Sequence, residues 1–347
     1  MALRKTLRKL LGATMIVRVV TMTRIAQVAQ VSLSTVSHVL NRTRPVSEAT
    51  RAAVLQAAED LGYEDTRVAL AGSRDVTVGA VVPAAASPYF GELIEGMSAE
   101  AVRLDIDLLI MTSGEDPDLE RKALESLISR RADGIVLIPS GTWQERSRPA
   151  LLRNETPFVL VDRLVDSGRY DQVGCENENA SEMLVSHLIK RGHQRVALIR
   201  GLAGLPTTIE REVGYRKAHE HSGIQVDEKL IADGQSTVRG GRVAMERLLT
   251  AHPTAVFCAN NNMTMGALAT LRRLHVRIPE DLALVAFDDL EWSDIIEPGI
   301  TSLAQPFHAM GNQALQLLLD RISNPDSQAQ TIRLPPSFEH RQSCGCP

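Results

Sequence analysis

Ser34, Ser37, His38 and Asn41 recur at i, i+3, i+4 and i+7, which puts two hydroxyls, an imidazole and an amide on one stripe of a helix. Val36, Val39 and Leu40 fall on the opposite, apolar side. Polar faces that serve solubility usually carry Lys and Glu, and this one has neither. Its short hydrogen-bonding groups suit close contact with a polar surface, although a solvated face has the same period. A second set of polar residues ends apolar runs: Ser87-Pro88-Tyr89-Phe90, Asp162-Arg163, Asn260-Asn261-Asn262 and Asp288-Asp289. Aromatic faces beside amides and bidentate carboxylates are what a polyhydroxylated small molecule requires. An enzyme could also use Asp288 and Asp289. However, GxGxxG, GxxxxGK[ST] and GxSxG are absent, so phosphate cradles and nucleophile elbows have no loop to occupy, and no catalytic residue or cofactor is expected. Cys175, Cys258, Cys344 and Cys346 make no disulfide framework and point to a reducing cytosol. The pair Cys344-Gly-Cys346 lacks CxxC spacing and is not read as a metal site.

The polar stripe needs a helix and a support. Ser32 is the expected N-cap of that helix. Ahead of it "TMTRIAQVAQ" forms another, capped by Thr21, with Ile25, Val28 and Ala29 facing inward. Only Gln30 and Val31 separate the two, so they must cross at a large angle as a helix-turn-helix. A third helix starts at Ser47, repeats Val54, Ala57, Ala58 and Leu61, and stops at Gly62. Three apolar stripes make an all-α head of about 40 residues, near the lower limit for independent folding. Beyond residue 75 the period changes. Apolar runs at 76–83, 107–113, 133–140, 157–163, 195–201, 254–260 and 282–289 alternate with helical segments at 90–104, 118–131, 181–192 and 262–274. That alternation predicts doubly wound α/β sheets, whose ligands bind beyond the carboxyl ends of the strands. The chemistry-bearing residues after the runs stand at those ends.

The 347 residues carry a net charge of -4, unevenly spread. Residues 1–75 hold 11 Lys/Arg against 6 Asp/Glu, and the rest 27 against 36. A basic head on an acidic body suits a polyanion partner. Five of those basic groups lie in 1–20, which reads as a disordered extension or as an upstream start, with Met15 or Met22 as the alternative. No apolar run is long enough to span a membrane. The expected organisation is 1–20 extension, 21–64 helix-turn-helix domain, 65–75 linker, and 76–347 two-lobed α/β domain.

From Thr21 onward the chain resembles the lactose-repressor family of bacterial transcription regulators. The resemblance rests on "IAQVAQVSLSTVSHVLN" and "VSEATRAAVLQAAEDLGY" in the head, and on "SPYFGELIEGM", "RGHQRVALIRG", "EREVGYRKA", "IPEDLALVAFDD" and "ITSLAQP" in the body. The "TVSHVLN" form is similar to that of the ribose and purine repressors. The resemblance implies a two-lobed body like a type I periplasmic binding protein, and a homodimer that reads a near-palindromic operator under the control of a small effector. It places Leu33, Ser34 and His38 at base edges, Ser32, Thr35, Ser37 and Asn41 near phosphates, and Leu70 as a minor-groove wedge. It places Tyr89, Phe90, Asp162, Thr207, Arg211, Asn260 and Asp288 around the effector.

Several positions depart from the family pattern. Gln30 replaces the usual glycine or asparagine of the tight turn, which suggests a conformation that a longer side chain tolerates. Asn261 and Glu176 replace common aspartates, Ser236 replaces a frequent aromatic, and Leu205 stands where the purine repressor has a ligand arginine. These changes weigh against a purine and favour a sugar or sugar acid. In the linker, Asp65 and Thr66 take the proline and asparagine positions and two residues are missing before Leu70. The tail has no leucine heptad, so no coiled-coil tetramer is expected. Rival readings are a solute-binding protein without a regulatory role, or a DNA-binding regulator controlled by a protein partner.

Overall fold

The structure, a computed structural model, describes residues 22–32, 35–36, 39, 46–60, 76–165, 168–289 and 292–346. It divides into two units, Met1–Arg74 and Asp75–Pro347. Expectations on Thr21, Leu33, Ser34, Ser37, His38, Leu40, Asn41, Leu61, Gly62 and Leu70, and on segments 1–20 and 65–75, lie outside the described residues.

In the first unit, helices α1 (Met22–Val28) and α2 (Glu48–Asp60) flank a segment in which Thr35, Val36 and Val39 are helical. Ser32 caps that segment as expected: its Oγ accepts from Thr35 N at 3.1 Å. Ser47 caps α2 in the same way through Thr50 N at 3.3 Å. Ile25, Ala26, Val36, Val39, Val54, Ala57 and Ala58 are buried together, with Ala29, Val31 and Val46 packed against them. Fully burying a Val or Ile contributes roughly 1.5–3 kcal/mol, a large share of the stability of so small a head. Two expectations need correction. Val28 is 45% exposed and Ala26 takes its inward place. Gln30 adopts φ 54°, the left-handed conformation that disfavours side chains, so the turn did not relax to suit glutamine. The reason is the helix stop: Val31 N bonds back to Ala26 O at 3.1 Å, which closes α1 and requires a left-handed residue at position 30.

The second unit holds two six-stranded sheets. The first has the order β11-β5-β4-β3-β1-β2, comprising β1 (Thr77–Val82), β2 (Asp107–Thr112), β3 (Gly134–Leu137), β4 (Phe158–Val161), β5 (Asp171–Cys175) and β11 (Thr331–Leu334), all parallel. The second has the order β12-β10-β9-β8-β6-β7, comprising β6 (Val196–Arg200), β7 (Ile231–Asp233), β8 (Ala255–Cys258), β9 (Ala283–Phe287), β10 (Thr301–Ala304) and β12 (Ser337–Glu339), with β12 alone antiparallel. Helices α3 (Pro88–Leu104), α4 (Pro117–Ser129), α5 (Trp143–Arg146), α6 (Arg148–Arg153) and α11 (Phe307–Ser323) belong to the first lobe. Helices α7 (Glu178–Lys190), α8 (Pro206–His221), α9 (Val238–Leu249) and α10 (Asn261–Arg273) belong to the second. The chain passes between lobes three times: at Glu176–Asn177 after β5, at Gln305–Pro306 after β10, and at Pro335–Pro336 between β11 and β12.

All seven apolar runs contain strands, but β5, β7, β10, β11 and β12 were not foreseen. β5 shows why: it is buried throughout, yet it carries Asp171 and Gln172. Their cost of burial is met by partners far along the chain, Arg321 Nε on Asp171 at 2.6 Å and Thr331 Oγ1 against Gln172 at 3.1 Å. The run at 107–113 forms an edge strand rather than a buried one, with Leu109 and Ile110 36% and 40% exposed. α3 and α11 approach through Gly96 and Gly311. A Cβ on either would lie within about 2 Å of a carbonyl oxygen of the other helix. That close crossing sets the position of Phe307 at the start of α11.

Candidate functional site

Among the described DNA-contact candidates, Ser32 is exposed and Thr35 half-buried, and their hydroxyls lie 2.7 Å apart at the helix start. The capping that positions the helix therefore uses one of the hydroxyls proposed near phosphate.

The candidate effector residues converge. Tyr89, Phe90, Asp162, Thr207, Arg211, Asn260 and Asp288 all line one cavity of about 480 Å³ at the carboxyl ends of both sheets. Local structure explains how each arrives there. Pro88 and Pro206 open α3 and α8 at positions where a missing N–H costs nothing, which brings Tyr89, Phe90 and Thr207 into the first turns facing the strand ends. Asn260 caps α10, its Oδ1 accepting from Met263 N at 2.9 Å. Asp162 and Asp288 directly follow β4 and β9, one in each lobe, with φ 67° and 73°. Left-handed backbone at two corresponding strand ends costs free energy, and turns both carboxylates into the cavity rather than along the strand.

The second lobe builds a polar wall. Arg211 is 5% exposed; its Nε donates to Asn177 Oδ1 at 2.8 Å and its Nη1 to Ala259 O at 2.7 Å. The guanidinium also lies 3.6 Å over the Phe287 ring, a desolvated cation–π contact. Its Nη2 stands 4.0 Å from Asp288 Oδ1, too far for a direct hydrogen bond. Asp288 accepts from Gln305 Nε2 at 2.6 Å and from Asn261 N at 3.3 Å. Gln305 Oε1 is buried without a hydrogen-bond partner among the described residues.

In the first lobe, Arg163 bonds to Glu115 at 2.8 Å and to Pro139 O at 2.9 Å. Burial works against its charge, but Glu115 outweighs that and raises its pKa, so Arg163 stays cationic. Burial pushes the Asp162 carboxyl above the usual carboxylate range, against the pull of Arg163 and Arg211. Burial, and then Asp288, push the Tyr89 phenol up as well, which keeps it a donor. That hydroxyl donates across the lobes to Asp289 O at 2.7 Å. Phe307 lies 5.6 Å from the Tyr89 ring and 6.4 Å from the Phe90 ring, which makes an aromatic corner.

The sequence reading missed Gln305, Phe307, Glu115 and Asn177, which stands at an interlobe crossing. Gln305 and Phe307 follow β10, and recognising "ITSLAQP" as a strand would have placed them with the other strand-end residues. Leu205 and Ser236 line the cavity, so the two departures fall within the site itself. Far from it, the tail cysteine pair is not isolated: His187, His340, Cys344 and Cys346 draw together in the second lobe. No helix among the described residues is long and apolar enough to cross a membrane.

Comparison with known proteins agrees with this architecture. The family described as "Bacterial regulatory proteins, lacI family" matches residues 21–65, and "Periplasmic binding protein-like domain" matches 185–344. The "Ribose operon repressor" of Escherichia coli (strain K12) is 32% identical over 329 residues, covering 93% of this chain and 99% of that one. The "HTH-type transcriptional repressor PurR" of Aliivibrio fischeri (strain MJ11) is 30% identical over 325 residues, covering 92% and 96%. A solved "transcriptional regulator CelR-cellobiose complex" superposes with TM-score 0.71 at 30% identity, covering 93% of this chain and 99% of that one. With a helix-turn-helix head, two parallel-sheet lobes and full-length relatives of this kind, the chain belongs to the lacI family of bacterial regulatory proteins, as a DNA-binding transcriptional repressor and not an enzyme.

Proposed function

We propose that this protein is a homodimeric, ligand-gated repressor whose effector, a sugar or sugar derivative, binds between the two lobes and alters its grip on a near-palindromic operator. The observation that carries the reading is the convergence of the seven effector residues on one cavity, with a carboxylate from each lobe facing it. The volume suits a small carbohydrate. A hydroxyl placed between Arg211 and Asp288 would accept from the first and donate to the second, bridging their 4.0 Å gap. Gln305 Oε1 would accept from another, and the aromatic corner at Tyr89, Phe90 and Phe307 would cover a ring face. Leu205 and Ser236 remove the arginine and the stacking wall that the purine-binding pattern needs. That the relatives include a ribose operon repressor and a cellobiose complex agrees with a sugar.

Ligand held by both lobes favours one lobe arrangement over another, pivoting at the three crossings where Asn177, Gln305 and Pro335–Pro336 stand. In the head, Leu33, Ser34 and His38 would read base edges, Ser32, Thr35, Ser37 and Asn41 would position the helix on phosphates, and Leu70 would wedge into the minor groove. The test is calorimetric titration with pentoses, hexoses, disaccharides and purine bases, paired with fluorescence anisotropy on operator duplexes. One sugar is expected to bind once per chain and to shift operator affinity. Asp288→Asn should weaken that sugar by about tenfold or more, some 1.4 kcal/mol. A purine bound in preference, or a sugar bound with no change at the operator, would overturn the reading.

A further inference from the structure

Outside the cleft, the second lobe gathers four ligating side chains from two stretches of sequence about 150 residues apart. His187 stands in the last turn of α7. His340 directly follows β12, and Cys344 ends the short 3-10 turn Gln342–Cys344. Gly345, at φ 78°, then reverses the chain and brings Cys346 back beside it. One ligand atom from each of the four lies within 4.8 Å of every other. His340 Nε2 is 3.5 Å from Cys344 Sγ, and His187 Nε2 is 3.4 Å from Cys346 Sγ. Around a tetrahedral ion with sulfur at about 2.3 Å and nitrogen at about 2.0 Å, the sulfur–nitrogen edge is about 3.5 Å. Two independent edges of the cluster are already near that length.

The surroundings hold the ligands in place. The imidazole rings stand 5.5 Å apart at 79°, and Phe338 packs against both at 5.5 and 5.7 Å. Arg191 donates to Gly345 O at 2.6 Å, fixing the turn between the two cysteines. Cys344 is buried, His187 and Cys346 are half-buried, and His340 is exposed, which leaves an entry path from solvent.

We propose that His187, His340, Cys344 and Cys346 form a structural Cys2His2 site for a divalent ion of the zinc class, clasping segment 337–346 to α7. Two thiolates and two imidazoles are soft and borderline donors that select such an ion over magnesium or calcium. The imidazoles bind as neutral Nε2 donors, and each thiol loses its proton to solvent on coordination, so the two negative charges balance the ion. Four protein ligands leave no open position, so the site is structural rather than catalytic. The remaining cysteines do not compete: Cys175 and Cys258 are buried singly, and burial pushes both thiols up to about 12.

The experiment uses the full chain, purified under reducing conditions and stripped with chelator, and titrates it with cobalt(II) alone and then zinc(II). The expected result is about one cobalt per chain, with the intense visible bands of tetrahedral coordination and a near-ultraviolet thiolate charge-transfer band, bleached by zinc. Zinc should also raise the melting temperature, and chelator should lower it. His340→Ala and Cys346→Ala, at exposed and half-buried positions that folding tolerates, should abolish the bands and weaken zinc by more than about a hundredfold, beyond the loss of an outer-shell partner. Their fold is checked by circular dichroism and by operator binding. Reduced, folded wild type that takes up no metal would overturn the proposal. So would uptake that the two substitutions leave unchanged, or a Cys344–Cys346 disulfide that persists under reducing conditions.

Discussion

Asp162 and Asp288 occupy corresponding strand ends, yet their surroundings differ. Asp288 is held by Gln305 and the Asn261 amide, whereas Asp162 has Arg163 Nε at 3.8 Å as its nearest counter-charge. Burial therefore raises the Asp162 carboxyl above its ordinary value. The folded state then binds this proton more tightly than the unfolded chain does. The stability it supplies is complete below the ordinary Asp value and declines as pH rises through the raised one. Asp162→Asn removes the buried charge, and asparagine tolerates the left-handed backbone at φ 67°. At pH about 7 the variant should be more stable than wild type, because the buried carboxylate charge is no longer formed. The gain should be smaller at pH about 4, since the raised wild-type carboxyl takes up its proton as pH falls. Thermal melts at the two pH values check this, and a gain of equal size at both would show that the charge is not its source.

At the scale of elements, the turn after α1 keeps its left-handed residue because the helix stop demands one, whatever side chain occupies position 30. A left-handed non-glycine residue costs roughly 1–2 kcal/mol. Glycine relieves that cost, although it adds freedom to the unfolded chain. Gln30→Gly should therefore stabilise the head by about 0.5–1 kcal/mol, read from denaturant melts that follow the head alone. A destabilised variant would mean that the glutamine side chain contributes more than its backbone costs. Helix caps were legible in the same region because they are local: Ser32 and Ser47 lie within three residues of the amides they accept from. Val28 was misplaced because position i+3 from Ile25 lies at the margin of a narrow apolar stripe, where the packing partner decides between neighbours.

For the whole molecule, the exposed apolar side chains on the first lobe bear on assembly. Val102 near the end of α3 is 83% exposed, and Leu109 and Ile110 on edge strand β2 stand near it in the chain. An edge strand with apolar residues in solvent is a pairing hazard unless another surface covers it, and in the homodimer proposed above a second copy of this chain would supply that cover. Val102→Asp with Ile110→Asp should give a monomer by light scattering. Operator affinity should fall by about a hundredfold or more, since the two heads would no longer bind as one unit. A double variant that stays dimeric would place the interface elsewhere.

What the sequence determined by itself was carried by short-range period: the buried residues Ile25, Val36, Val39, Val54, Ala57 and Ala58 of the head, the alternation of strand and helix, and the polar residues that must stand at strand ends. Those residues were nameable because in a parallel sheet every carboxyl end faces the same rim. Tertiary structure alone decided which residues join them from elsewhere. Asp171 and Gln172 can sit in a buried strand because residues 321 and 331 satisfy them, and His187 meets Cys346 across 159 residues. Such contacts leave no periodic trace, because burial of a polar group depends on a partner whose distance along the chain is unconstrained.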